Sequence, residues 1–442
     1  MTGEPRRPTS SVKSASALAG RMGSFTRLTR AVPASNGAYR RSKRAIVKSS
    51  SRLRVAVVAA CPFPHPRGTP IRIRRLAQGL GERGHEVHVV TYHLGGSAEA
   101  EPFRVHRIRD VGWYQRCEPG PSYAKFFILD PLLLRTLRRL MRRYEIDIVH
   151  AHHYEGLLVA CWARPTCPVV YDAHTTLESE LPFYRLGLPT GLKRVVGRKL
   201  DRILPAKAAH VIAVSEAIRA RLVELGAVKP DRVDVIPSGV ESHLFQVESE
   251  KERRVEDARV VAFTGNLGPY QGLEYLLKAF REVVRYRDDV QLLIVTGSPF
   301  TPYEGLAREL DIRDSIVLRD DVFAELPNNL AEADVLVNPR TEATGLPQKL
   351  LNYMAAGKPI VSFHGSAGHL QDGKTALIVK SGDIRSMGAA ILRLLDDRKL
   401  AARLGLAAKE QAHEEFNLDK MAAQVEAVYE RVLSGGPEPS GS

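Results

Sequence analysis

Cysteine is scarce in this 442-residue chain: Cys61, Cys117, Cys161 and Cys167 are the whole complement, and none stands in CxxC spacing. That excludes a disulfide framework and a cysteine-rich metal site. With no stretch resembling a secretory signal, a reduced, cytoplasmic setting is expected. Long apolar runs are missing as well, none approaching the ~20 residues that cross a bilayer, so no transmembrane segment is expected. Acidic residues are missing from one region: residues 1–52 carry twelve Lys and Arg against Glu4 alone. That region holds eleven of the fourteen net positive charges, leaving +3 for the rest of the chain. A nearly balanced remainder argues against a nucleic-acid-binding core, and no nucleic-acid partner is expected. Large apolar residues are also few in residues 1–51, which are expected to be disordered because burial cannot offset their ordering entropy. A solvated tail or misassigned start, a polybasic arm on anionic lipid, and an Arg/Ser-rich transit peptide all remain open for that segment.

What is there is enough chain, 44% of it hydrophobic, to build two cores. From Leu53 onward, short buried-strand patterns alternate with helical ones, which predicts an α/β fold with doubly wound parallel sheets. LRVAVVAAC opens it, followed by the loop PFPHPRGTP, a helix from about Ile71 to Arg83 and a strand over Glu86–Tyr92. Gly68 and Thr69 stand just before that helix, where backbone can approach a ligand at low steric cost; an ordinary strand-to-helix turn reads the same way. Lys125–Tyr144 reads as one basic amphipathic helix, either lying on a membrane surface or packing a leucine face on the core with arginine stems around it. The strands IDIVHAHH and VVYDAH end on His150, His152, Asp172 and His174, at the carboxyl edge where open α/β sheets bind ligands. His150, His152 and His153 cluster without companion Cys or carboxylates at ligand spacing, so no metal is expected. The charged segment 246–259 is the candidate linker, and Asp383–Leu433 reads as helical throughout.

The most informative stretch is DVLVNPRTEATGLPQKLLNYMAAGKPIVSF, Asp334–Phe363. It predicts a strand over Asp334–Pro339, a loop with Gly345 and Pro347, a helix over Gln348–Ala356, a stop at Gly357 and a strand over Pro359–Phe363. In such a βαβ unit the loop opens onto a helix N-terminus, whose unpaired N–H groups and dipole favour an anion such as phosphate. PxKLLxYMAxGKPIV resembles the signature of the donor-binding domain of family 4 glycosyltransferases, a retaining class with the GT-B fold of two facing Rossmann-like domains. The segment RGTPIRIRRLAQGLGERGHEVHVVT resembles that family's opening motif, HAHHYEGLL and YDAHTTLESELP its acceptor-side loops, and VIPSGVESHLF its interdomain VIPNGVD segment. The resemblance extends from residue 53 to about 433.

It implies an acceptor-side domain over 52–243, a donor-binding domain over 244–415, a helix over 416–434 crossing back, and a tail over 435–442. It also implies transfer of a sugar from a nucleotide-sugar to an acceptor hydroxyl with retention, in cell-surface or lipid-linked glycan synthesis. No cofactor or metal is called for, and peripheral contact with the inner face of a membrane is left open. By the resemblance, His174 sits beside the transferred sugar, and His150, His152, Glu155 and Asp172 belong to the acceptor side. Gly68 and Thr69 approach the donor phosphates. Asn266, Gln271, Arg340, Glu342, Gly345, Leu346, Pro347, Lys349 and Asn352 form the donor side.

The departures from the family pattern are as instructive. The usual GRLxxxKG loop is GNLGPYQG here, with Asn266 and Gln271 where Arg and Lys would contact the diphosphate. The usual pair of glutamates falls on Thr344 and Asn352. Arg340 and Lys349 are positioned to take over the lost charge; alternatively Lys349 caps local carbonyls and Arg340 pairs with Glu342. A rival function follows from the same losses: a catalytically weakened GT-B protein serving as a binding or scaffold partner in glycan assembly.

Overall fold

β-Branched and small apolar residues fill the central strands so completely that both faces must be covered, the requirement that drives parallel sheets into helix-sheet-helix layers. A computed structural model describes residues 52–65, 68–97, 101–117, 120–184, 187–245, 258–342 and 347–435. The tail expected over 1–51, residues 436–442 of the tail expected over 435–442, the linker residues 246–257, and Thr344, Gly345 and Leu346 lie outside the described residues.

The first half comprises β1 (Arg54–Ala59), α1 (Gly68–Glu82), β2 (Glu86–Thr91), β3 (Arg104–Arg107), α2 (Asp130–Arg143), β4 (Ile148–His152), α3 (His153–Ala163), β5 (Val169–Ala173), α4 (Leu177–Glu180), α5 (Thr190–Ile203), β6 (His210–Ala213), α6 (Glu216–Glu224) and β7 (Val233–Val235). The second comprises β8 (Arg259–Thr264), α7 (Leu273–Val284), β9 (Val290–Val295), α8 (Thr301–Glu309), β10 (Ile316–Arg319), α9 (Leu326–Ala331), β11 (Val335–Asn338), α10 (Gln348–Ala356), β12 (Ile360–Phe363), β13 (Leu377–Val379), α11 (Ile384–Asp396), α12 (Arg398–Glu415) and α13 (Leu418–Leu433). The sheets run β3-β2-β1-β4-β5-β6-β7 and β10-β9-β8-β11-β12-β13. Every pairing between these strands is parallel. Both orders reverse direction beside the first strand of their own half, so each sheet has a crevice at its carboxyl edge, as the GT-B expectation requires.

Several elements differ from the sequence reading. The first helix begins at Gly68, three residues early, so Gly68 and Thr69 are its first turn rather than the loop before it. Lys125–Tyr144 is helical as far as Arg143, as expected, but its first turn, Lys125–Leu129, is wound as a π-turn that leads directly into α2. Leu133, Leu137 and Leu140 of α2 are buried while Arg135, Arg138, Arg139, Arg142 and Arg143 are exposed, the core-facing alternative. Asp383–Leu433 is broken into three helices, because Asp397 and Asn417 leave helical geometry and cap the next helix through their side chains, accepting from Leu400 N–H at 2.9 Å and Lys420 N–H at 2.6 Å. Helices α4 and α5 were not foreseen.

Two stretches of backbone join the halves, and they touch. Ile236 belongs to the core of the first sheet, Val240 and Phe245 to that of the second. The return passes through Phe416 and Asn417 into α13, whose Leu418, Met421, Val425, Val428 and Tyr429 pack in the core of the first sheet. Val240 N–H donates to Phe416 O at 2.7 Å. Gly239 is required here, since a Cβ on it would come within 2.9 Å of Leu418 Cα.

Candidate active site

The corner that carries the residues expected on the donor side is built where β8 and β11 end side by side. The loop Gly265–Gly272 after β8 folds down onto the end of β11: Gly272 has φ 72° and an added Cβ would lie 2.2 Å from Pro339 O, so no other residue fits. Lys349, in the first turn of α10, points into this corner. Its Nζ lies 4.1 Å from the centre of the Phe263 ring and 3.8 Å from where a Cβ on Gly265 would be. Nζ is buried and has no hydrogen-bond partner among the described residues. Burial, and after it the positive charge of Arg340, hold the Lys349 amine well below its ordinary range. The Arg340 guanidinium lies 5.1 Å over the Tyr270 ring, Nε donating to Glu342 O at 2.6 Å. Both alternatives are therefore corrected: Lys349 caps no carbonyl, and Arg340 bonds the backbone of Glu342 rather than its carboxylate. Leaving an amine buried without a partner costs several kcal/mol, a cost that an incoming anion removes.

The other donor-side residues divide. Asn266 orders its own loop, donating to Tyr270 Oη at 2.8 Å and accepting from Gly268 N–H at 3.0 Å. Gln271 is buried, and its Oε1 has no partner among the described residues. Pro347 is the residue before α10. A Cβ on Gly68 would lie 3.7 Å from Gln348 Cγ, so the N-termini of α1 and α10 face each other across the two halves; Thr69 follows, partly exposed. Asn352 Oδ1 accepts from Arg75 Nη2 at 3.2 Å, which turns that oxygen toward the first half.

Arg75 and Arg72 were missed by sequence reasoning. They stand three apart on α1, on the face that also buries Ile73, Leu76 and Leu80. Two cations on an apolar helix face are the signal that could have found them. Arg75 donates to Gly239 O at 2.9 Å and Gln348 Oε1 at 3.2 Å, and pairs with Glu241 at 2.6 Å. One side chain thus ties α1 to the connection between the halves and to α10. Arg72 Nε donates to both oxygens of Asp172 at 3.2 and 3.0 Å, and Nη2 to Ile236 O at 2.9 Å.

Asp172 is the centre of the histidine cluster. His150 Nε2 lies 3.3 Å from Asp172 Oδ2 and its Nδ1 2.7 Å from Tyr429 Oη. His152 stacks on His150 at 4.5 Å, and its Nδ1 lies 3.0 Å from His174 Nε2. His150, His152 and Asp172 are at most 1% exposed, whereas the His174 side chain is 10% exposed. This corrects the acceptor-side expectation for the first three: enclosed by protein, they support His174 from below. Burial opposes the Asp172 charge, but Arg72, followed by His174, His150 and His152, holds its carboxyl well below the usual range. Burial drives His174 down to about 3, against the pull of Asp172 and with help from Arg72, so the imidazole is neutral at ordinary pH. His150, His152 and Asp172 could geometrically hold a metal, their donor atoms lying within 4.8 Å of one another. The Arg72 guanidinium already occupies the carboxylate and opposes a second cation there. Glu155, on α3, lies in a neighbouring cluster with His153 and Glu180.

Two family models match the chain, Glycosyltransferase Family 4 over residues 66–244 and Glycosyl transferases group 1 over residues 258–397. The MMP alpha-(1->4)-mannosyltransferase of Mycolicibacterium hassiacum is 30% identical over 422 residues, taking in 86% of this chain and 99% of that relative. Among solved structures, sucrose-phosphate synthase from Thermosynechococcus elongatus superposes with a TM-score of 0.72 at 18% identity, covering 87% of this chain and all of that one. Anabaena HepE in complex with UDP and glucose does so with a TM-score of 0.68 at 18% identity, covering 86% of this chain and 100% of its own.

Proposed function

This chain belongs to glycosyltransferase family 4 and is a glycosyltransferase of that type, and from that premise we propose that it transfers a sugar from a nucleotide-diphosphate sugar to an acceptor hydroxyl with retention and without a metal. The observation that carries the reading is the unpartnered Lys349 Nζ in the corner between Gly265 and Phe263, with Arg340 beside it and no salt bridge to either among the described residues. Two cations and the N-terminus of α10 stabilise the charge that grows on a leaving diphosphate. They stand in for the Arg and Lys that Asn266 and Gln271 replace, and they favour an active enzyme over the scaffold alternative. Neutral His174 can accept a hydrogen bond or donate one to the sugar next to the breaking bond, and it adds no positive charge beside an oxocarbenium-like centre. The named relative is a mannosyltransferase and the HepE complex holds UDP and glucose, so UDP-glucose and GDP-mannose head the donor panel. A melting-temperature rise with at least one nucleotide-sugar is expected, and His174→Ala should lower the transfer rate about a hundredfold or more with that rise retained. No response to any nucleotide-sugar would leave the scaffold alternative standing.

Peripheral membrane contact has a specific support of its own. Helix α5 is turned inside out: its inward residues are Lys193, Gly197 and Asp201, with Gly197 against the Leu177 backbone and Asp201 accepting from Leu177 and Glu178 N–H at 2.9 and 2.8 Å. Leu192, Val195, Val196 and Ile203 are exposed, alongside Arg194, Arg198, Lys199 and Arg202. An outward apolar and basic helix suits the surface of an anionic bilayer at its cytoplasmic face. No described helix is long and apolar enough to cross a membrane. Wild type is expected to sediment with vesicles containing anionic lipid and not with neutral ones, and Val195→Glu/Val196→Glu to remain in the supernatant; equal sedimentation of both proteins refutes the contact.

A further inference from the structure

Lys349 and His174 stand on different halves of the molecule, yet the proposed reaction needs them in one fixed relation, since a misplacement of about 1 Å costs about a hundredfold in rate. The backbone contact of Val240 with Phe416 fixes where the halves join. It does not by itself fix how α10, which carries Lys349, lies against α1. Side chains must do that, and one residue of α10 is committed to it.

Gln348 is the first residue of α10, immediately before Lys349. Both ends of its amide are engaged by other elements: Oε1 accepts from Arg75 Nη1 at 3.2 Å, and Nε2 donates to Ser238 Oγ. Ser238 Oγ also accepts from Arg72 Nη1 at 3.2 Å, and Arg72 holds the Asp172 carboxylate that lies 3.8 Å from His174 Nε2. A chain of hydrogen bonds thus runs from the support of His174 through Arg72 and Ser238 to the residue beside Lys349. Arg75 braces it by donating from Nη2 to Asn352, one turn further along α10. The same guanidinium is anchored to Gly239 O at 2.9 Å and to Glu241 at 2.6 Å. Arg72, Arg75 and Ser238 are at most 2% exposed, so water does not compete for these bonds as it does at a surface.

We infer that Gln348 is a positioning residue for the transfer: with Arg75 and Ser238 it sets the register of α10 against α1, and thereby of Lys349 against His174. It does not hold the donor. The inference rests on the glycosyltransferase reading above and adds to it the residue that makes the two halves act as one site.

Gln348→Met keeps the length of the side chain and removes both bonds, while Arg75→Lys keeps a cation beside Glu241 but lacks the fork that reaches Gly239, Gln348 and Asn352 together. Each is expected to lower kcat about tenfold or more, with the donor KM and the affinity for a nucleoside diphosphate within about twofold of wild type, because the diphosphate is held by Lys349 and Arg340 in the second half alone. The double variant should be no slower than the worse single one, as for two groups of one network. Small-angle X-ray scattering of the full chain without ligand should give a larger radius of gyration for both variants than for wild type. An unchanged kcat overturns the assignment, as does a double variant slowed by the product of the two single effects. A nucleoside-diphosphate affinity that falls as far as kcat also overturns it, since that would place Gln348 at the donor. If wild type neither binds nor turns over any nucleotide-sugar, the transferase reading fails and scattering alone decides the register: an expanded Gln348→Met supports it and an unchanged one overturns it.

Discussion

Lys349→Met is expected to make the protein more stable and the enzyme useless at the same time. Methionine fills the same volume against Phe263 without burying an amine that lacks a partner, a relief of about 1–3 kcal/mol. The same change removes the cation offered to a diphosphate, so nucleotide affinity should fall about tenfold to a hundredfold, the worth of one charged hydrogen bond. The pH dependence has a definite sign. The folded pKa is depressed, so between it and the unfolded value of ~10.4 the unfolded chain binds the extra proton and stability rises with pH across that window. The variant should lose that slope. Diphosphate binding returns the proton, so wild type should take up protons on binding UDP or GDP within the same window. Calorimetry in two buffers of different ionisation enthalpy measures the uptake, and denaturant melts measure the stability. A variant that binds nucleotide as wild type does, or that is less stable, refutes the role given to Lys349.

Asp172→Asn should act in the opposite direction, costing about 3–5 kcal/mol because it leaves Arg72 buried beside a neutral amide. Arg72 is 1% exposed and its remaining partners, Ile236 O, Ser238 Oγ and Met421 Sδ, are all neutral. The Asp172 pKa is depressed in the fold. Its contribution is therefore complete above the unfolded value of ~3.9 and is lost as pH falls through the folded value. The gap between wild type and variant in urea melts should be wide at neutral pH and should narrow only in strong acid. A gap that closes already near pH 6 would assign the effect to a histidine instead.

How much of this was legible beforehand depends on what each residue faces. Periodicity and turn chemistry sufficed for the βαβ unit: helix Gln348–Ala356 has the expected bounds, and Gly357, at φ 68°, is its stop. They failed for α5, because Lys193, Gly197 and Asp201 point inward there and the apolar residues outward. They failed again over Asp383–Leu433, where Asp397 and Asn417 read as mid-helix residues until their side chains are seen to cap. In the site, Lys349 was identifiable from its place in the first turn of a helix after a strand. The enclosure of His150, His152 and Asp172 was not, since a strand end shows which residues reach the crevice edge but not that Arg72 and Tyr429 arrive from α1 and α13 to cover them. The Arg75 bridge to Asn352 spans 277 residues, a pairing that no local pattern encodes.

The contact between the outgoing connection at Val240 and the returning one at Phe416 constrains how the substrate crevice can open. Because the described parts of both covalent links meet at one spot, a swing about Gly239 and Asn417 is the motion between the halves that stretches neither of them. Arg75, donating to Gly239 O and to Gln348, stands close enough to that axis to hold through a small swing, while the facing ends at Gly68 and Lys349 travel with the jaw.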